Sequence, residues 1–140
     1  MKTNGFTSLE MLLVLSISFM LITLTIFPIA NTLSTLAEKQ LLEEVKSTIY
    51  LAQINAVTTK QDTIISFDPV KNQLTASTNS QLLNTISFAD TIKLTHSKTE
   101  NFRFSSSDGS INRFSTIRLA SSANNYKLIF QIGKGRFRIE

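Results

Sequence analysis

Residues 4–30 read NGFTSLEMLLVLSISFMLITLTIFPIA. From Met11 to Ala30 the chain runs for 20 residues without a charge. At about 1.5 Å of rise per residue, a helix of that length covers the roughly 30 Å hydrocarbon core of a bilayer. Glu10 stands at the mouth of this run. A carboxylate at the centre of a membrane helix costs about 2.5–3.5 kcal/mol, less near an interface, and marks a functional site by default. It calls for a cation, and none occurs in the next 25 residues of its own chain. A cleaved secretory signal would have an apolar region of about 7–15 residues followed by a small-residue cleavage site. Here the run is too long and no Ala-x-Ala follows it. A plain membrane anchor fits the length and leaves Glu10 unexplained.

Gly5-Phe6-Thr7-Ser8-Leu9-Glu10, followed by the apolar run, resembles the class III signal of type IV pilins and pseudopilins. The resemblance covers residues 1–30. It implies that a prepilin peptidase cuts between Gly5 and Phe6 on the cytoplasmic side and methylates the new N-terminal Phe6. It implies further that Glu10 pairs with the N-terminal amine of a neighbouring subunit in a filament. Two charges that are costly alone become tolerable when paired in low dielectric, and each then selects the other chain. The leader departs from the pattern in having Lys2 as its only basic residue, and Ser8 stands where a Leu is usual.

Pro28 has no N–H to give the Leu24 carbonyl, so a kink is expected there. Beyond it, Leu33, Leu36, Leu41, Val45, Ile49, Ala52 and Ala56 recur at helical spacing, with Glu38, Lys39, Glu43 and Lys46 on polar faces. No Gly or Pro interrupts between Asn31 and Lys60. These patterns predict one helix from about Phe6 to Thr59, bent near Pro28. The chain then divides into a leader (1–5), a transmembrane or filament-core helix (6–30), its amphipathic continuation (31–60) and a β-rich head (61–140).

Within the head, TIISF (63–67) and QLTAS (73–77) flank a turn at Asp68-Pro69-Val70-Lys71. Further strands are predicted at LLNTISF (82–88), TIKLT (91–95), NFRFS (101–105), STIRLAS (115–121), YKLIFQI (126–132) and RFRIE (136–140). A two-residue Gly133-Lys134 loop with Gly first suits a type II′ turn. It pairs Gln131 with Arg136 and Ile129 with Arg138, and leaves Leu128, Phe130, Ile132, Phe137 and Ile139 on one apolar face. The fold class is α+β: a long N-terminal helix followed by a small antiparallel head of two sheets.

The net charge of +4 is unevenly placed, with −1 over residues 1–97 and +5 over residues 98–140. That asymmetry points either to a solvated basic surface or to an anionic partner. Cysteine is absent, so disulfide and thiol chemistry are excluded. His96 is the one histidine, and no paired His or clustered carboxylates offer a metal site. It falls in a polar loop and is read as a surface residue. Ser105-Ser106-Ser107-Asp108-Gly109 has no base nearby and reads as a turn. With no nucleotide-binding glycine pattern either, the expectation is a non-enzymatic protein without a cofactor, itself the substrate of a processing enzyme.

Phe104, Gly109, Ile117-Arg118-Leu119 and Gly135-Arg136, in that order, resemble the heads of H-type pseudopilins of type II secretion and FimT-like minor pilins. The Ser/Thr/Asn-rich background is similar to that of Gram-positive competence pseudopilins. These resemblances imply a minor subunit of a competence pseudopilus at the cell membrane and surface, supporting DNA uptake. Its partners would be the prepilin peptidase, other pilins and membrane lipid before assembly. A type II secretion pseudopilin is one alternative. Another is a DNA-binding tip subunit using Lys134, Arg136 and Arg138, because GRFR (135–138) is similar to the Gly-Arg-x-Arg of FimT-like pilins that take up DNA.

Overall fold

The computed structural model describes residues 7–88, 92–121, 124–133 and 135–140, and the side chains of residues 25–31 lie outside that description. One helix, α1 (Ser8–Thr59), precedes eight strands. These are β1 (Thr63–Asp68), β2 (Gln73–Thr78), β3 (Leu82–Ser87), β4 (Ile92–Leu94), β5 (Glu100–Phe104), β6 (Ser115–Ser121), β7 (Asn125–Phe130) and β8 (Phe137–Ile139). They form two antiparallel four-stranded sheets, ordered β3-β2-β1-β5 and β4-β6-β7-β8. The α+β class and the pair of small sheets agree with the sequence reading. Among the described residues no helix is long and apolar enough to cross a membrane. The Met11–Ala30 run extends into the residues whose side chains are not described, and so does the kink expected at Pro28.

The chain divides into two units, residues 1–36 and 37–140. In the first, the helix carries its apolar side chains outward, from Leu9 at 76% exposure to Leu24 at 64%. In the second, α1 buries Leu42, Val45, Ile49, Ala52 and Ala56. Steps alternating between three and four keep these residues on one stripe. Leu42 takes the place expected for Leu41, which is only half-buried, while Leu33 and Leu36 are exposed. Glu38, expected on a polar face, is buried at 2% exposure. Past Thr59, Lys60 turns the chain with a left-handed φ of 55°, the usual exit from a helix.

Alternation along the strands turns Ile65, Phe67, Leu74, Ala76, Phe102 and Phe104 of the first sheet inward to meet Ile117, Leu119, Leu128 and Phe130 of the second. Phe102 and Phe130 stack with ring centroids 4.3 Å apart, and Phe67 meets Phe102 edge-on at 5.9 Å. Arg113 lies over the Phe102 ring, 5.1 Å from its centroid, and pairs with Glu100.

Two stitches join the sheets. At the β1–β2 turn, Asp68 Oδ1 accepts the N–H groups of Val70 and Lys71 at 2.9 and 3.2 Å. Asn72 follows with a left-handed φ of 48°, which Asn tolerates better than most residues. Its side chain donates to the Ile92 carbonyl at 2.8 Å and accepts from the Leu94 N–H at 3.0 Å. The amide thus stands in for a peptide of a neighbouring strand. The second stitch is Ile111, which bridges Phe104 of the first sheet and Gly133 beside the second. Its N–H donates to the Gly133 carbonyl at 3.0 Å.

That second stitch explains a departure in the last hairpin. The register is the expected one: Ile129 faces Arg138, and the Gln131 N–H donates to the Arg136 carbonyl at 2.9 Å. Ile132, expected on the apolar face, is 72% exposed. β7 ends at Phe130, and Gly133 is engaged by Ile111 rather than by a continuing ladder. Gly135 is buried with φ 64°, where a Cβ would meet the Gln53 amide and lie 2.6 Å from the Gly109 carbonyl oxygen. Gln53 Nε2 in turn donates to that carbonyl at 3.1 Å.

Asn72→Ala is expected to lower stability by about 1–3 kcal/mol, because the buried-edge Leu94 N–H and Ile92 carbonyl lose their partner together. Gly135→Ala is expected to cost at least as much through left-handed strain and the clash with Gly109. Urea unfolding of the full chain, followed by tyrosine fluorescence, checks both.

Candidate functional site

Of the residues singled out from sequence, Gly5, Phe6 and Lys134 lie outside the described residues. Glu10 is described and exposed. It stands in the first turn of α1, where its N–H donates to the Thr7 carbonyl at 3.1 Å and to Thr7 Oγ1 at 3.3 Å. Thr7 therefore caps the helix, and Thr-x-x-Glu is the capping-box spacing. An acidic residue here also meets the positive end of the helix dipole. The Thr7-x-x-Glu10 spacing is the sequence signal of this cap.

The last strand is shorter than the 136–140 expected: Arg138 lies on β8 and Arg136 just before it, and both are exposed. Arg138 Nη2 contacts Glu140 Oε1 at 2.9 Å. Arg136 lines a shallow cavity of about 440 Å³ with Gln131, Ile132 and Gly133. The register adds cations that the sequence reading left apart. Arg118 on β6 is the direct cross-strand neighbour of Lys127 on β7. Lys127 in turn exchanges both main-chain hydrogen bonds with Glu140, at 2.7 and 2.9 Å. Arg118, Lys127 and Glu140 thus form one row across three strands. Folding the two strands about residues 122–123 in the sequence would have found the first of these pairings.

His96 is half-buried rather than free in a loop. Its Nε2 lies 2.9 Å from the Thr116 carbonyl oxygen, and the Arg118 N–H donates to Nδ1 at 3.4 Å. The pattern selects the tautomer with the proton on Nε2. His96 thereby continues the edge of β4 along β6 and holds the backbone beneath Arg118. The Ser105–Gly109 segment is a turn, as expected: the Gly109 N–H donates to the Ser105 carbonyl at 2.9 Å, and Asp108 Oδ1 accepts from the Ser110 N–H at 3.0 Å. That bond holds the Asp108 carboxyl below its ordinary range. Nearby, the Ser106 N–H donates to Asp62 at 2.8 Å, and this bond, with Arg103 as a lesser contributor, lowers Asp62 as well. Among the described residues no group of His, Asp and Glu could hold a metal ion.

Glu38 is buried and makes a polar contact across the head. Its Oε2 accepts from the Tyr126 hydroxyl at 3.1 Å and from the Asn124 amide at 3.4 Å. Neutral donors of this kind are what a buried carboxyl needs when no cation is at hand. Beside them lies a cavity of about 480 Å³ lined by Lys39, Leu42, Lys46, Tyr126 and Ile139. Burial first, then the bond to Glu38, pushes the Tyr126 phenol above its ordinary value.

Tyr126 keeps its proton in the folded chain to higher pH than in the unfolded chain. The stability carried by this contact is therefore complete below about pH 10 and is lost as pH rises through the folded value. In a Tyr50→Phe background, tyrosinate absorbance is expected to report a midpoint above the ordinary phenol value. Glu38→Gln should move it back only partway, since burial remains. A midpoint at or below the ordinary value would contradict the assignment.

No protein-family model, curated protein or solved structure matches this chain.

Proposed function

We propose that this chain is a minor structural subunit of a type IV pilus-like competence pseudopilus. In this reading it enters the membrane through the Met11–Ala30 run, with its head outside, and is cut by a prepilin peptidase between Gly5 and Phe6. Phe6 is then methylated, and the subunit joins the filament at the cell surface through Glu10. Its role is assembly in support of DNA uptake rather than catalysis.

The observation that carries this reading is the division of labour along α1. The second half of the helix supplies the apolar stripe of the head, while the first half leaves every described apolar side chain from Leu9 to Leu24 exposed in the single chain. Apolar surface of that extent requires lipid or protein around it. A helix of this kind suits a subunit that is stored in a membrane and then packed among other helices. The carboxylate at Glu10, in the capped first turn, is the one charged group described at the far end of that surface.

Co-expression of the full chain with a prepilin peptidase tests the reading through the intact mass and N-terminal sequence of the product. A chain beginning at methylated Phe6 is expected, and a chain still beginning at Met1 would overturn the proposal. Glu10→Ala is expected to leave cleavage intact and to abolish recovery of the subunit in sheared filaments. Gly5→Ala is expected to block cleavage itself.

A further inference from the structure

Where α1 passes β8, a cavity of about 480 Å³ opens within the head. That volume falls in the range of small-molecule sites, about 300–1,000 Å³. Its apolar wall is Leu42 from the helix, Ile139 from β8 and Tyr126 from β7. Tyr126 and Ile139 pack against the core yet stay half-buried. The Tyr126 hydroxyl is committed to Glu38 at 3.1 Å. What Tyr126 offers a ligand is therefore its ring rather than its polar tip.

Four charged side chains share the wall: Lys39, Glu43, Lys46 and Glu140. Three of them are taken. Glu43 pairs with Lys46, and Glu140 Oε1 is held by Arg138 Nη2 at 2.9 Å. Lys39 and Lys46 lie two turns apart on one side of the helix, with Glu43 a turn from each. Because Glu43 is drawn to Lys46, the exposed Lys39 keeps its charge for other use. Among the described residues no ion pair holds it. An apolar wall with one uncommitted cation selects a ligand with matching parts.

We infer that this cavity binds a monoanionic amphiphile, with a carboxylate or phosphate on Lys39 and an apolar body against Leu42, the Tyr126 ring and Ile139. Two sources carry that chemistry: a free single-chain fatty anion and the headgroup region of an anionic lipid. Glu43 tunes the site by occupying Lys46, and Glu38 holds the Tyr126 ring as a wall. The site lies wholly in the head and is independent of processing at Gly5 and of filament assembly.

The test uses the full chain carrying Tyr50→Phe. Tyr126 is then the one tyrosine in a sequence without tryptophan, so tyrosine emission reports the cavity wall. Decanoate, decanol, phosphatidylglycerol or phosphatidylcholine is added to the chain in nonionic detergent micelles, at equal mole fractions. Decanoate, phosphatidylglycerol or both should change the emission saturably, and decanol and phosphatidylcholine should act about tenfold more weakly. A response to decanoate alone assigns the single-chain anion, and one to phosphatidylglycerol alone assigns the lipid. A response to both supports the shared chemistry. Lys39→Ala should weaken binding about tenfold through loss of one charge-assisted contact, and Lys39→Arg should retain it. Glu43→Gln frees Lys46 and should tighten binding, whereas Lys71→Ala, in the β1–β2 turn, should leave it unchanged. No saturable response, an equal response to decanol, or unaltered binding in Lys39→Ala would overturn the inference. So would weaker binding in Glu43→Gln. A chain correctly cut and methylated at Phe6 that gives no such response would remove this inference and leave the filament reading standing.

Discussion

Burial of the α1 stripe against the strands is the contact on which the head depends. Leu42, Val45 and Ile49 each contribute on the order of 1.5–3 kcal/mol through apolar surface removed from water. Ala52 and Ala56 contribute in another way. With no side chain beyond Cβ and no exposure, they complete the stripe toward the end of the helix. Neither sheet could close a core alone. β3 is largely exposed, and β4 and β8 have three residues each, too few for an independent sheet.

Polar contacts fix the position of that stripe along its length. Glu38 takes bonds from Tyr126 and Asn124, Thr48 from Asn84 at 2.8 Å, and Asn55 reaches Thr63 at 3.3 Å. Gln53 holds Gly109. Burial of Leu and Ile favours contact without specifying register, because it is nearly proportional to area. A buried polar atom has a definite partner, and a slip of one residue would strand it. Helix and strands are thus joined by apolar area and indexed by four hydrogen-bonding positions. The Glu38 contact is the first of these along the helix, just past the boundary between the two units.

Much of this architecture was readable from residues. Period-two alternation in Thr63–Asp68, Ser115–Ser121 and the final hairpin located strands to within one or two residues, since one face of each had to be apolar. Helix length followed from the absence of Gly and Pro between Asn31 and Lys60. Contacts between segments distant in the chain were not readable. Nothing local to Asn72 announces that its amide will serve β4, and nothing near Ile111 announces that it will join two sheets. Glu38 was misread for a related reason: a charged residue on an amphipathic helix is ordinarily solvated, and its donors lie 86 and 88 residues away. Likewise, only the pairing of β6 with β7 brings Arg118 opposite Lys127.

The position of Asn72 has a consequence for the open edge of the second sheet. β4 ends the second sheet, and its Thr95 side bonds to β6 through Arg118. The Ile92 carbonyl and the Leu94 N–H therefore point away from the sheet, where a strand from another molecule could add to it. The side chain of Asn72 fills both groups at once. One asparagine acts as a two-pronged plug on a sheet edge. Such a plug keeps the β4 edge of one head from templating a strand of another.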